Sequence, residues 1–118
     1  MVRQLALLLY SVQLFLGGWQ QANQPTPRGD RARAIGWPVA DELVRFSGWA
    51  MIAGALALQI PRLRRLSAIL LALQLLPITY VGHRFWDEQG PAQAQHKIHF
   101  FKNVSLIGGA LYIAFGGD

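Results

Sequence analysis

Gly82-His83-Arg84-Phe85-Trp86-Asp87-Glu88 opens the last third of the chain, and His96-Lys97-Ile98-His99-Phe100-Phe101-Lys102-Asn103 leads from it into the apolar run Val104 to Phe115. A bilayer core demands about 20 residues of helix. Counted back from Gly117, that length starts the last span near Ile98 and leaves Lys102 and Asn103 inside the hydrocarbon. Ionisable side chains thus crowd the mouth of a membrane helix.

Three further apolar runs precede this one: Leu5 to Trp19, Leu43 to Ile60 and Leu66 to Val81. The 118 residues are 53% hydrophobic and 14% charged, against about 25% charged in a soluble domain. A soluble domain of this size has too little polar surface to hide four such runs. The expectation is an all-α, integral membrane four-helix bundle, one domain over 1–118, with spans near 3–20, 40–60, 64–83 and 97–116.

The first run follows Arg3 in the manner of a signal peptide, but no small-residue cleavage pattern follows Gly17-Gly18-Trp19, so it is read as a retained helix. Gln20 to Pro38 is polar and interrupted by Pro25, Pro27, Gly29, Gly36 and Pro38, which predicts a solvated loop without a regular helix across it. Asp41 and Glu42 fall in the first turn of the second span, where the helix dipole favours negative charge. Gly48, Ala50, Ala53, Gly54, Ala55 and Ala57 let another helix approach closely. Gly108 and Gly109 predict a second close approach, and Gly116-Gly117-Asp118 a cap and tail.

Arg62, Arg64 and Arg65 fill the short turn between the second and third spans. The positive-inside rule puts that turn, Arg3 and both termini in the cytoplasm, with Gln20 to Pro38 and Gly82 to Gln95 outside. The net charge of +5 reflects these loop arginines. It speaks for topology rather than for nucleic-acid binding.

On a helix His96, His99, Lys102 and Asn103 recur at steps of three and four and share a face. His83, Arg84 and Trp86 arrive at the same depth from the third span, and Glu42 and Arg45 from the second. Interfacial histidines and an aromatic belt of Phe85, Trp86, Phe100 and Phe101 are the ordinary reading. Lys102 and Asn103 demand more, because polar groups inside a span face the bundle and pair. Glu42, Asp87 and Glu88 are the expected partners of Lys102. Imidazoles suit both haem ligation and hydrogen bonding to a quinone carbonyl, and the shallow placement favours a quinone. The ligand set is His83, Trp86, His99, Lys102, Asn103 and Arg45. No metal site is indicated.

The chain has no cysteine, hence no thiolate nucleophile or disulfide. A serine triad, a phosphate-cradling glycine loop and an H-E-x-x-H motif are also missing from the sequence. Nothing marks a self-contained hydrolase or kinase, and no internal repeat marks a transporter.

His83-Arg84-Phe85-Trp86, then His99-Phe100-Phe101-Lys102-Asn103 with Gly108-Gly109 and Leu111, resembles the carboxy-terminal signature of the DoxX family of small four-helix membrane proteins. The likeness extends through the G-x-x-x-I-A-G pattern at Gly48 to Gly54 and the basic turn after it. The resemblance implies a four-helix bundle with both termini inside and an association with quinone-linked redox complexes of the prokaryotic inner membrane. An accessory subunit of such a complex is the leading expectation. A structural or assembly subunit without a ligand of its own is the alternative.

Overall fold

The computed structural model describes residues 1–116, and Gly117 and Asp118, expected to form the tail, lie outside them. Every element among the described residues is helical: α1 (Val2–Asn23), α2 (Thr26–Ala34), α3 (Ala40–Ala57), α4 (Pro61–Gly82), a 3-10 turn at Phe85–Asp87 and α5 (Gly90–Phe115). The long helices pack in the order α1, α3, α4, α5, and the short α2 lies across α3 and α4. The molecule measures 42 × 28 × 19 Å.

Two boundaries differ from the expectation drawn from the sequence. Thr26–Ala34 is a helix, although it holds a proline and a glycine. Pro27 stands in its first turn, where a missing N–H costs no hydrogen bond. Gly29 is the point where α2 meets α3: an added Cβ would lie 1.8 Å from Asp41 Oδ1. Helix α5 begins at Gly90, not at 97, with Pro91 in its first turn. Ala and Gln between Pro91 and His96 are good helix formers, so the helix outlasts its apolar part.

Small residues decide how closely the helices approach. Where α1 crosses α3, a Cβ on Gly48 would stand 2.5 Å from both Ala22 N and Gly18 O, so backbone meets backbone. Gly109 faces the Tyr10 ring, whose hydroxyl donates to Leu106 O, whereas Gly108 faces open space and takes no part in packing. The core beyond these crossings is apolar, with Leu14, Met51, Ala55, Leu58, Leu71 and Leu75 buried.

Hydrogen bonds between helices supplement this packing. Gln59 Nε2 donates to Ser11 Oγ at 2.9 Å, Ser67 Oγ to Gly54 O at 2.6 Å, and Gln74 Nε2 to Ser47 O at 2.5 Å. Such bonds are worth about 0.6–2 kcal/mol each between helices in lipid. Pro77 lies within α4, yet the helix continues to Gly82.

The outer faces carry Leu8, Leu16, Phe46, Leu56, Leu70, Leu73, Leu76 and Tyr112, all exposed. A surface this apolar is foreign to a soluble monomer. By length and composition two stretches can cross a membrane, Pro61–Asp87 and Gly90–Phe115. Helices α1 and α3 fall short of that measure, α3 because 18 residues include Asp41, Glu42 and Arg45.

Candidate functional site

The histidines meet where α4 ends and α5 begins. His83 is the C-cap of α4, its N–H bonded to Thr79 O at 3.1 Å. Arg84 Nε then donates to Asp87 Oδ2 at 2.6 Å, which closes the turn. Gly90 adopts φ +65°, a left-handed conformation that favours glycine, and starts α5 back along α4. The three-residue spacing of His96, His99 and Lys102 aligns them toward His83.

The ring centroids of His83 and His99 are 5.1 Å apart and stacked at 29°, and those of His83 and His96 are 5.5 Å apart. Lys102 Nζ lies 3.4 Å from His99 Nδ1. Arg31 reaches in from α2, with Nη1 2.7 Å from His96 Nε2 and donating to Gly82 O at 3.1 Å. One guanidinium therefore ties α2 to the end of α4 and to α5.

The hydrogen-bond network assigns the tautomers of the neutral rings. Arginine only donates, and Arg31 Nη1 stands 2.7 Å from His96 Nε2 and 3.3 Å from Nδ1, so the nearer Nε2 accepts and the proton sits on Nδ1. His83 Nδ1, 3.3 Å from that Nδ1, is then the acceptor, and His83 carries its proton on Nε2. Lys102 likewise donates to His99 Nδ1, so His99 carries its proton on Nε2. Two imidazole N–H groups remain as donors.

The charges around the cluster are mostly positive. Among the described residues the ion pairs are Arg33–Asp30, Arg33–Asp41 and Arg84–Asp87, and none includes a histidine or Lys102. Arg28 of α2 is close enough for its charge to act on His83, His99 and Lys102, and the Glu88 carboxylate acts with the opposite sign on His96. Burial, with Arg31 alongside, holds the Arg28 guanidinium below its ordinary pKa. Arg33 is raised instead, by its hydrogen bonds to Asp41 and Asp30.

A cavity of about 230 Å³ lies among α1, α2, α3 and α4 and reaches the end of α4 at Gly82, one residue before His83; none of His83, His96, His99 and Lys102 lines it. Arg28 and Gln21 are among its polar lining, and Leu43, Val44, Ile78 and Val81 make its walls largely apolar.

His83, His99 and Lys102, expected from the sequence, are thus brought together. Arg45 is not: it lies exposed on α3 and enters no ion pair among the described residues. Trp86 turns away from the imidazoles into an aromatic group, 5.9 Å from Tyr80, 5.3 Å from Phe85 and 5.8 Å from Phe100, with the Arg84 guanidinium 5.1 Å from its ring. Asn103 is buried at 4% exposure, one residue past Lys102 and thus about 100° around the helix. The expected carboxylate partner of Lys102 is replaced by His99, because Asp87 is bound to Arg84 and Glu42 is exposed. Among the described residues no three histidine or carboxylate side chains, the three histidines included, are arranged so that they could hold a metal ion.

Arg28, Arg31 and His96 were missing from the expected set. The signal for the arginines was the spacing of Arg28 and Arg31, one helical turn, hidden by the prolines that made the segment look like a loop.

Part of the chain is similar to a protein from Escherichia coli (strain K12), Inner membrane protein YphA, with 38% identity over 50 residues. The likeness is to a membrane protein. It covers 42% of this chain and 36% of that protein, so the chain spans little more than a third of its relative's length. No family model matches the chain, and no solved structure matches it. This likeness, the two crossing-length helices and the apolar exterior give the chain its membrane character.

Proposed function

We propose that the protein is a multi-pass inner-membrane protein of DoxX type, an accessory subunit of a quinone-linked redox complex. Its four long helices cross the bilayer, α1 and α3 using their mutual contact and α4 to shield their polar positions. The arginines at 3, 62, 64 and 65 mark the cytoplasmic end, and the histidine cluster lies at the outer leaflet. The observation that carries the ligand reading is the close grouping of His83, His99 and Lys102, none of them in an ion pair among the described residues.

A quinone combines carbonyl acceptors with a flat apolar ring; the imidazoles address the first, and the apolar cavity that begins at Gly82, one residue before His83, is the nearest room for the second. His83 Nε2–H and His99 Nε2–H donate to the carbonyl oxygens. Lys102, with Arg28, stabilises negative charge on the headgroup as it is reduced, a service a low-dielectric site magnifies. Asn103, Trp86 and Arg45 lie outside this contact set and are supporting residues in the proposal. The electron donor is a partner subunit.

The test is equilibrium binding of a short-tailed quinone to the protein in nanodiscs. His99→Ala and Lys102→Ala each weaken it at least tenfold, whereas undiminished binding in both refutes the site. The alternative, a purely structural network in an assembly subunit, draws on the Arg31 bonds to His96 and Gly82 that fasten α2. Lys102→Met separates the two: a ligand site predicts folded protein without binding, a structural network predicts loss of folded protein in detergent.

A further inference from the structure

The end of the molecule opposite the histidines holds a larger hollow. A crevice of about 890 Å³ opens between the first turns of α1, the first turn of α4 and the last turns of α5. This is within the 300–1,000 Å³ of ordinary ligand sites. Its rim carries Arg3, Arg64 and Arg65, and its walls Leu7, Tyr10 and Ile113.

The three guanidinium groups differ in what they already do. Arg64 Nε donates to Leu58 O at 2.8 Å and its Nη2 to Gln59 O at 3.3 Å, so it caps the end of α3. Arg65 lies 5.1 Å over the Phe115 ring, a contact that occupies its face and leaves its N–H edge free. Arg3 is exposed and enters no ion pair among the described residues. Of the six acidic residues, Asp30, Asp41, Glu42, Asp87 and Glu88 belong to α2, the start of α3 and the turn before α5, and Asp118 lies outside the described residues.

We propose that this crevice binds an anionic phospholipid of the cytoplasmic leaflet. Arg3 and Arg65 grip the phosphate, and an acyl chain runs down past Leu7, Tyr10 and Ile113. Arginine suits the task because its planar fork meets phosphate oxygens two at a time. A basic pocket between membrane helices next to an apolar furrow matches both halves of such a lipid. The proposal rests on the membrane reading above and not on the histidine cluster.

The test is native mass spectrometry of the full chain in a nonionic detergent, titrated with phosphatidylglycerol, phosphatidylcholine or inorganic phosphate. Phosphatidylglycerol is expected to bind at least tenfold tighter than phosphatidylcholine, and inorganic phosphate is expected not to displace it at equal concentration. Arg3→Gln weakens phosphatidylglycerol roughly fivefold and Arg3→Gln/Arg65→Gln about thirtyfold, on the usual worth of an arginine near an anionic surface. Arg3 enters no side-chain hydrogen bond or ion pair among the described residues, so the single variant reads binding even where the double variant folds poorly. Arg62→Gln, outside the crevice, leaves phosphatidylglycerol binding unchanged. Equal affinity for the two lipids, full binding by Arg3→Gln, or displacement by inorganic phosphate overturns the proposal.

Discussion

Replacing Gly48 by alanine tests the packing on which the whole arrangement depends. The new Cβ would stand 2.5 Å from Ala22 N and Gly18 O and 2.8 Å from Gln21 Cβ. Carbon contacts are comfortable at about 3.5–4.0 Å, so α1 and α3 must part by roughly 1 Å at the crossing. The obstacles are backbone atoms of α1, which cannot turn aside as a side chain can. Overpacking of this kind costs about 1–3 kcal/mol, and alanine recovers up to about 1 kcal/mol over glycine in helix propensity. The net loss expected is about 1–2 kcal/mol. Gly108→Ala is the internal control, since nothing lies within 4 Å of the added carbon, and it is neutral or gains up to about 1 kcal/mol. Gly18→Ala opens the same gap, so the double variant Gly18→Ala/Gly48→Ala loses less than the sum of its parts. Thermal unfolding in detergent micelles, followed by circular dichroism at the helix band, reads all four proteins. A Gly48→Ala chain as stable as Gly108→Ala would refute the backbone-to-backbone crossing.

Four further outcomes are expected. Gly29→Ala drives a carbon against Asp41, whose carboxylate can turn aside while its Cα stays at 3.3 Å, and loosens α2 from α3 at the low end of overpacking, about 1 kcal/mol; faster hydrogen exchange confined to 26–34 is the signature. Val39 holds φ +44° at the start of α3, a conformation that strains a β-branched side chain, so Val39→Gly stabilises the fold by about 0.5–1 kcal/mol in the same melting assay. Arg31→Gln removes the tie between α2, His96 and Gly82; it increases exchange in α2 while α4 and α5 keep their protection, and unchanged exchange in α2 would count against that tie. The absence of native cysteine allows single-cysteine mapping: Gln93→Cys reacts with an impermeant maleimide on intact cells, and Arg62→Cys reacts only after permeabilisation. Labelling of both from one side would refute the proposed topology.

Much of the helical skeleton was legible because apolar runs between basic turns are a strong one-dimensional signal. Pro61, for instance, ends one run and sits in the first turn of the next helix, as proline's missing N–H allows. Pro27 sent the opposite message: read as a breaker, it is an initiator, and the close approach of Gly29 to Asp41, the burial of Ala32 against Ala40 and Val81, and the Arg31 bonds dock a helix of nine largely polar residues. The site was half legible for the same reason. His96, His99 and Lys102 follow from periodicity on one helix, and His83 from the short return between α4 and α5. Arg28 and Arg31 come from a segment more than 50 residues before that return, and no local pattern announces which surface a short polar helix will cover. Arg45 and Trp86 stand apart from the histidines because depth along a span does not fix direction around it. Trp86 had Tyr80, Phe85 and Phe100 to pack against, and an exposed arginine on α3 had solvent or headgroups.

The central claim is that the imidazole and lysine donors hold an acceptor headgroup rather than only one another. It is tested most directly by the native mass spectrum of the protein purified gently from its own membrane, compared with that of Lys102→Met. The account predicts a bound molecule of quinone mass on the parent chain and its absence from a Lys102→Met chain with an unaltered helical spectrum. A parent chain free of any such molecule, or a Lys102→Met chain that keeps it, would contradict the claim.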